Sequence, residues 1–193
     1  MNYLAHCYLS CSEEDILIGN FMTDFLKKKE ESNYTGRVLD GIQLHRSIDT
    51  FTDKHPASLE LRALLRKRHG KYASVVVDLI WDYYLSTNWD KFSAKPLPDF
   101  NQNIYEILTK RKDELPEKLN QKIDKMINND FLMAYASETN MLHSLQWMDK
   151  RVNFKSAFHE AIIDVKENRE LIQELFMQFF PELVAHSNTH CSC

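Results

Sequence analysis

Apolar residues recur every three to four positions along most of this chain, which is the period of an α-helix with one buried face. The pattern predicts a short helix over residues 3–9. It predicts a second helix from Ser12, where three acidic residues follow and would face the positive end of the helix dipole. This second helix should hold Asp24 near its middle and run out into the lysines at 27–29. Cations at the C-terminus of a helix complement the negative end of its dipole, so the lysine run also has a purely structural explanation.

Breaks in the pattern divide the rest of the chain into further helices. A polar loop is predicted at 30–35, and the pair His55-Pro56 should end a helix because the residue before proline avoids helical geometry. Residues 73–89 form the most apolar segment, and the stretch 93–99, with two prolines, is the clearest linker. The remaining helices are predicted near 38–53, 58–70, 100–113, 116–128, 130–136, 138–149 and 153–179, before a polar tail at about 186–193.

Composition supports this helical pattern and bounds the domain count. The chain has 193 residues, of which 44% are hydrophobic and 27% charged, enough for one sizeable domain with a core and a polar surface. Its 4 glycines and 5 prolines are too few for a turn-rich all-β protein. We therefore expect a single all-α domain over residues 1–193, with roughly eight to ten helices.

Charge and hydropathy exclude some classes of function. The net charge is -4 and the isoelectric point about 6.1, which argues against a nucleic-acid partner because such proteins usually present a basic surface. No stretch approaches the roughly 20 apolar residues of a membrane span, and the N-terminus does not resemble a signal peptide. We expect a cytoplasmic protein with no membrane partner.

Cysteines lie near the two ends of the chain, at Cys7, Cys11, Cys191 and Cys193. A zinc site that uses both pairs is conceivable, but neither pair has the two-residue gap of a zinc knuckle. Reduced cytoplasmic thiols are the favoured interpretation.

Histidine and aspartate residues recur at helical spacing among apolar neighbours in the first half of the chain. The set is His6, Asp24, His45 with Asp49, and Asp78 with Asp82. Residues four apart share a helix face, and a carboxylate without partners is costly to bury. A divalent metal held between helices by imidazole and carboxylate would resolve that cost, so a metal-dependent hydrolase is the leading hypothesis.

Each of these residues also has a structural explanation. Asp78 could pair with a buried arginine such as Arg46 or cap another helix, and Asp49 could simply orient the imidazole of His45. Arg46 nevertheless adds a planar cationic fork beside that histidine, a combination that favours phosphoester chemistry over packing. Five other histidines, in polar contexts, are predicted to be surface residues: His69, His143, His159, His186 and His190.

Four ordered blocks carry a family resemblance: MNYLAHCYLS, GNFMTDF, GIQLHRSIDTFTD and DLIWDYYLSTNW. In their order and spacing the chain resembles the acyl carrier protein phosphodiesterases, also called acyl carrier protein hydrolases. A late stretch, FMQFFPELVAHS, is also similar to that family. The resemblance implies an all-helical fold like that of the HD phosphohydrolases, which bind a divalent metal through His and Asp side chains. It also implies hydrolysis of the phosphodiester between the carrier protein serine and 4'-phosphopantetheine, with manganese favoured and magnesium or iron as alternatives.

The chain departs from the ordinary HD pattern because it contains no His-Asp dipeptide. Thr23 stands where the dipeptide histidine would be, and Asp24 stands at the aspartate. The resemblance therefore supports Asp24 most directly as a ligand, while His6 and His45 are the candidates for the missing imidazole.

Roles for the whole set follow from the resemblance. The metal ligands would be His6, Asp24, His45 and Asp78. Arg46 would hold a non-bridging phosphate oxygen, and Asp49 or Asp82 would orient the attacking water or a ligand imidazole.

The substrate implied by the resemblance is a small, acidic carrier protein. Local basic surface must attract it, because this chain is itself acidic overall. Two runs of basic residues could do so. The first is Lys27, Lys28 and Lys29, and the second is Arg62, Arg66, Lys67, Arg68 and Lys71. The structural alternative is that both are solvated helix ends.

Two other functions remain open at this stage. An HD-type hydrolase of a nucleotide or other small phosphoester would share the metal site and differ in its recognition surface. A non-enzymatic helical binding module would use the same His and Asp residues as a buried polar network, and metal content would distinguish it from both enzymes.

Overall fold

The computed structural model describes residues 1–10, 13–153 and 156–190, and every regular element in these ranges is helical. The prediction of an all-α domain is therefore confirmed. The α-helices are α1 Tyr3–Tyr8, α2 Glu14–Met22, α3 Gly36–Lys54, α4 Pro56–His69, α5 Ala73–Thr87, α6 Leu97–Lys110, α7 Glu117–Asn128, α8 Glu138–Arg151, α9 Ala161–Glu167 and α10 Arg169–Asn188. Among the described helices, none combines the length and apolar content that a membrane span needs.

Helix α5 lies at the centre of the core, as its apolar sequence predicts. Its Trp81 is fully buried, stacks on Phe179 of α10 at 5.2 Å between ring centroids, and donates its indole N–H to Ser58 of α4. A large aromatic side chain whose polar atom is satisfied contributes strongly to a core. Helices α4, α5 and α10 thus form a frame against which α1 and α3 pack.

Helices α2 and α3 pack with their backbones in contact, and two glycines make this possible. A Cβ on Gly19 would lie 2.0 Å from the carbonyl oxygen of Val38, and one on Gly41 would lie 2.3 Å from that of Ile16. No side chain fits into such gaps, so glycine is required at both positions. The close approach matters for the site because Asn20 and His45 follow these glycines on the two helices.

The predicted position of Asp24 in mid-helix is wrong. Helix α2 ends at Met22, and a 3-10 turn over Thr23–Phe25 leads into extended backbone at Leu26. The hydroxyl of Thr23 donates to the carbonyl oxygen of Gly19, and Asp disfavours helix interiors because it competes for backbone groups. Lysines 27–29 consequently sit outside α2, and a second 3-10 turn covers Lys28–Asn33.

The predicted single helix at 153–179 is also wrong. The carboxylate of Asp149 accepts hydrogen bonds from the backbone N–H groups of Phe158 and His159, which holds a turn between α8 and α9. Helix α10 then continues through Pro181 to Asn188. The predicted helix at 130–136 is a single 3-10 turn over Phe131–Met133.

Two further predictions concern histidines at α4. The break at His55-Pro56 is confirmed, and His55 caps α4 by accepting from the backbone N–H of Ala57. His69, predicted at the surface, is buried, because the carboxylate of Asp164 on α9 accepts from its Nε2–H at 2.8 Å. Cys7 is buried and free, whereas the predictions for Cys11, Ser12, Cys191 and Cys193 lie outside the described residues.

Candidate metal centre

Helices α1 and α3, together with the turn after α2, bring four of the predicted residues to one place. The Nε2 atom of His45 lies 3.2 Å from an oxygen of Asp24 and 3.2 Å from an oxygen of Asp49, while Nε2 of His6 lies 3.3 Å from the other oxygen of Asp49. His6 and His45 are each only 2% exposed, whereas the two carboxylates reach solvent. The imidazole rings of the centre are therefore buried, and its carboxylates are accessible to solvent.

Asn20 orients both imidazole rings. Its side-chain N–H groups donate to the backbone carbonyl of His6 and to Ser10, which turns its Oδ1 toward the histidines. That oxygen is 2.8 Å from Nδ1 of His6, and the backbone carbonyl of Asn20 is 2.8 Å from Nδ1 of His45. Since these oxygens only accept hydrogen bonds, both imidazoles carry their proton on Nδ1.

When the rings are neutral, each Nε2 atom consequently directs its lone pair toward a carboxylate. Both Nε2 atoms are buried, and carboxylate oxygens lie within ion-pair distance of each. The two rings and the two carboxylates thus converge on a common point. A cation at that point would turn these repulsive approaches into favourable ones, so the donor set fits a divalent metal ion.

Without an ion, a proton must compensate the carboxylates. Burial, together with the neighbouring His45, lowers the pKa of His6 to about 4. Burial acts on His45 in the same direction, but the carboxylates of Asp24 and Asp49 outweigh it and raise the pKa of His45 to about 9. Asp49 keeps its negative charge because the two imidazoles hold its pKa far below the usual range, against the effect of burial. When no metal is bound, the raised pKa of His45 therefore favours its protonated form at neutral pH.

Asp78 and Asp82 occupy different positions from those assigned by the sequence. Asp78, predicted as a ligand, binds the α-amino group of Met1 at 2.9 Å, and that nitrogen lies 3.7 Å from Asp49. Asp82 is buried and accepts from the backbone N–H groups of Asn2 and Leu4, so it caps α1. Burial raises the pKa of Asp82 to about 7 despite these donors. Asp82 thus positions the helix that carries His6.

Arg46 is not the buried partner of Asp78 that the sequence allowed. It lies one position beyond His45 on α3, is exposed, and donates to Glu31 at 2.8 Å. Its side chain also lines the cleft between α3 and α10, next to Ser47 and Thr50.

Exposed basic side chains occur in two segments near residues of the centre. Lys27 and Lys28 follow Asp24 closely in sequence and are exposed. In the second segment, Arg62 reaches Asp53, which lies one turn beyond Asp49 on α3. Arg66 and Lys67 continue this second patch along α4, and both are exposed.

Sequence reasoning missed two features of the centre. Asn20 is a polar residue one turn before Asp24 in an apolar segment, and its contact with two histidines depends on the packing of α1 and α3 against α2. The sequence predicts that Asp49 orients the attacking water or one imidazole, whereas its two oxygens approach both rings. Among the described residues, one atom each from His6, His45 and Asp49 lies within 4.8 Å of the others, a spacing that suits a shared ion.

Comparison with known proteins gives a consistent result. A family model described as acyl carrier protein phosphodiesterase matches residues 1–183. A protein named acyl carrier protein phosphodiesterase from Photorhabdus laumondii is 31% identical over 185 residues, 95% of this chain and 93% of its own. Proteins of the same name from Yersinia enterocolitica (27% identical, 97% of each chain) and Escherichia coli (28% identical, 97% of this chain and 98% of its own) are also similar. No solved structure matches the chain.

Proposed function

The chain belongs to the acyl carrier protein phosphodiesterase family, and on that premise we propose that it releases 4'-phosphopantetheine from holo acyl carrier protein with the help of a divalent metal. The metal would be held by His6, Asp24, His45 and Asp49, and manganese is the ion we expect, with magnesium and iron as alternatives. Two imidazoles and two carboxylates suit these ions better than copper.

One observation carries the proposal. Two buried imidazole nitrogens, each on the ring edge opposite a hydrogen bond made by Nδ1, face carboxylate oxygens at 3.2–3.3 Å. The raised pKa of His45 shows that this spot attracts a positive charge, which a proton supplies when no metal is bound. Imidazoles held at Nδ1 by oxygen acceptors, with Nε2 directed at carboxylates, are typical of histidine ligands to a divalent ion.

The side chains around the centre supply what a phosphodiester needs. When bound, a divalent ion would lower the pKa of a coordinated water and draw charge from a phosphoryl oxygen. Arg46 would exchange Glu31 for a non-bridging oxygen of the substrate, and Asn20 would keep both histidines in the tautomer that offers Nε2. Asp78 would act indirectly, by holding the amino group of Met1 beside Asp49.

Metal uptake should release a proton, because the raised pKa of His45 favours its protonated form when no metal is bound. Its pKa of about 9 lies above neutral pH, so a ligand-forming His45 must lose that proton at pH 7.5. The apparent Mn²⁺ affinity should rise about tenfold per pH unit below pH 9 and level off above it. Calorimetric titration at pH 7.5 in two buffers of different ionisation enthalpy should report about one proton released. No release at that pH would exclude His45 as the protonated ligand.

The basic patches would guide the acidic carrier protein to the centre. Charge reversal at two exposed positions of α4, Arg66→Glu with Lys67→Glu, should raise KM about tenfold and leave kcat nearly unchanged, because these residues lie outside the centre. Lys118→Glu with Lys122→Glu on α7 is the matched control, since it makes the same charge change at exposed positions of another helix. Equal KM values for the two double variants would mean that the patch does not steer the substrate.

The direct test is incubation of the protein with holo acyl carrier protein and Mn²⁺, followed by mass spectrometry of the carrier protein. Loss of the phosphopantetheine mass, abolished by a chelator, is the expected result. An unchanged carrier protein together with hydrolysis of a nucleotide would favour the small-phosphoester hydrolase. An unchanged carrier protein and no bound metal after purification would favour the binding module.

A further inference from the structure

A second group of histidines lies in a cleft of about 710 Å³ between α3 and α10. The cleft is lined by Ser47 and Phe51 of α3, by His55 and by Glu182 and His186 of α10. Ser47 and Phe51 are displaced by two residues from His45 and Asp49, which puts them about 200° around α3 from the centre described above. The histidines of the cleft are therefore on a different face of α3 from the centre, although Arg46 also lines the cleft.

His186 lies in the last turn of α10, His190 lies in the turn that follows the end of that helix at Asn188, and both rings point at one atom. Their Nε2 atoms are 2.7 and 2.8 Å from the hydroxyl oxygen of Ser47, and their ring centroids are 5.0 Å apart. A hydroxyl has a single proton, so Ser47 can donate to only one of the two rings. Two imidazole nitrogens that converge on one point are placed as the histidine ligands of a transition-metal site are.

Neighbouring side chains favour the binding of a cation by His186 and His190. Phe51 stacks on the ring of His186 at 4.6 Å, which restricts its rotation. Partial burial, with His190 close by, lowers the pKa of His186. Glu182 lies one turn before His186 on the same face and is exposed, with one oxygen 3.2 Å from Nε2 of His55. A modest rotation of this side chain would bring a carboxylate toward the pair.

We propose that His186 and His190 form a second metal site, which binds a borderline transition ion such as Zn²⁺, Ni²⁺ or Cu²⁺ with Glu182 or water as further ligands. Two imidazoles and few carboxylates favour these ions over manganese and magnesium. This site differs in ligand chemistry from the oxygen-rich centre at His6, and it does not depend on the function proposed above.

The test is a Zn²⁺ titration by calorimetry in the full chain. All proteins carry Cys191→Ser and Cys193→Ser, so that the thiols that follow His190 in the sequence cannot act as ligands. Replacing His190, which is exposed, with Ala should remove one bound Zn²⁺, whatever the number held at the other centre. His143→Ala, at an exposed position of α8, is the matched control and should bind as much Zn²⁺ as the parent.

A second readout locates the ion. Imidazole ¹⁵N spectra should show the Nε2 signals of His186 and His190 shifting on addition of Zn²⁺, and His186→Ala should abolish the shift at His190. Mn²⁺ affinity and phosphodiesterase activity should stay at parent values in both variants. Zinc stoichiometry that is unchanged in His190→Ala, or Nε2 signals that do not move, would overturn the proposal.

Discussion

Replacing Asp49 with Asn is expected to lower kcat by about a thousandfold or more and to weaken Mn²⁺ binding in parallel. The two oxygens of Asp49 lie 3.3 Å from Nε2 of His6 and 3.2 Å from Nε2 of His45, so one substitution disturbs the approach to both rings. The amide removes a negative charge from a donor set in which the imidazoles are neutral ligands. Calorimetry with Mn²⁺ and turnover of holo acyl carrier protein measure the two effects.

Two other aspartates serve as controls for this variant. Asp53→Asn changes an exposed carboxylate one turn further along α3 and should leave both Mn²⁺ affinity and kcat within about twofold of the parent. Asp78→Asn removes the carboxylate that binds the Met1 amino group. It should weaken activity by about 10- to 100-fold, as expected for a residue that supports a metal ligand without binding the metal itself. If Asp78→Asn abolished Mn²⁺ binding and Asp49→Asn did not, the ligand set predicted from the sequence would be right and ours wrong.

The second large effect is expected from Gly19→Ala, at a position that supplies no ligand atom. The added methyl group would lie 2.0 Å from the carbonyl oxygen of Val38, so α2 and α3 must separate. Overpacking against backbone should cost about 3 kcal/mol or more, against which the better helix propensity of alanine returns about 1 kcal/mol. Separation also moves Asn20 away from His45, so Mn²⁺ affinity should fall with the free energy of unfolding.

Gly36→Ala is the control for this variant. A Cβ at Gly36 meets nothing within 4 Å, but its φ of +58° is unfavourable for alanine. This variant should therefore lose about 1 kcal/mol and keep its Mn²⁺ affinity. Urea denaturation and metal titration of both proteins separate conformational strain from the loss of close helix packing. Equal stability of the two variants would show that α2 and α3 can adapt.

Local pattern predicted the features of this protein that depend on one helix. The apolar run of α5, the break before Pro56 and the shared face of His45 and Asp49 all follow from spacing and from the geometry of proline. These features need no information about what each helix packs against. The histidine and aspartate set was identifiable for the same reason, as polar residues in apolar surroundings.

Long-range packing decided the features that the sequence could not specify. Helix α1 has six residues, too few to be stable alone, and it is held where Asp82 accepts its N-terminal N–H groups. Its docking brings Met1 to Asp78 and thereby makes Asp49, and not Asp78, the carboxylate nearest both imidazoles. The turn held by Asp149 and the burial of His69 by Asp164 likewise depend on contacts between helices.

The central claim is that one divalent ion binds between His6, Asp24, His45 and Asp49. A crystal of the protein soaked in Mn²⁺ and measured at the manganese absorption edge tests it most directly. We predict an anomalous peak about 2.0–2.3 Å from Nε2 of both histidines and from an oxygen of each of the two aspartates. A peak coordinated by Asp78 in place of Asp49, or no peak between the two imidazoles at saturating Mn²⁺, would contradict the account.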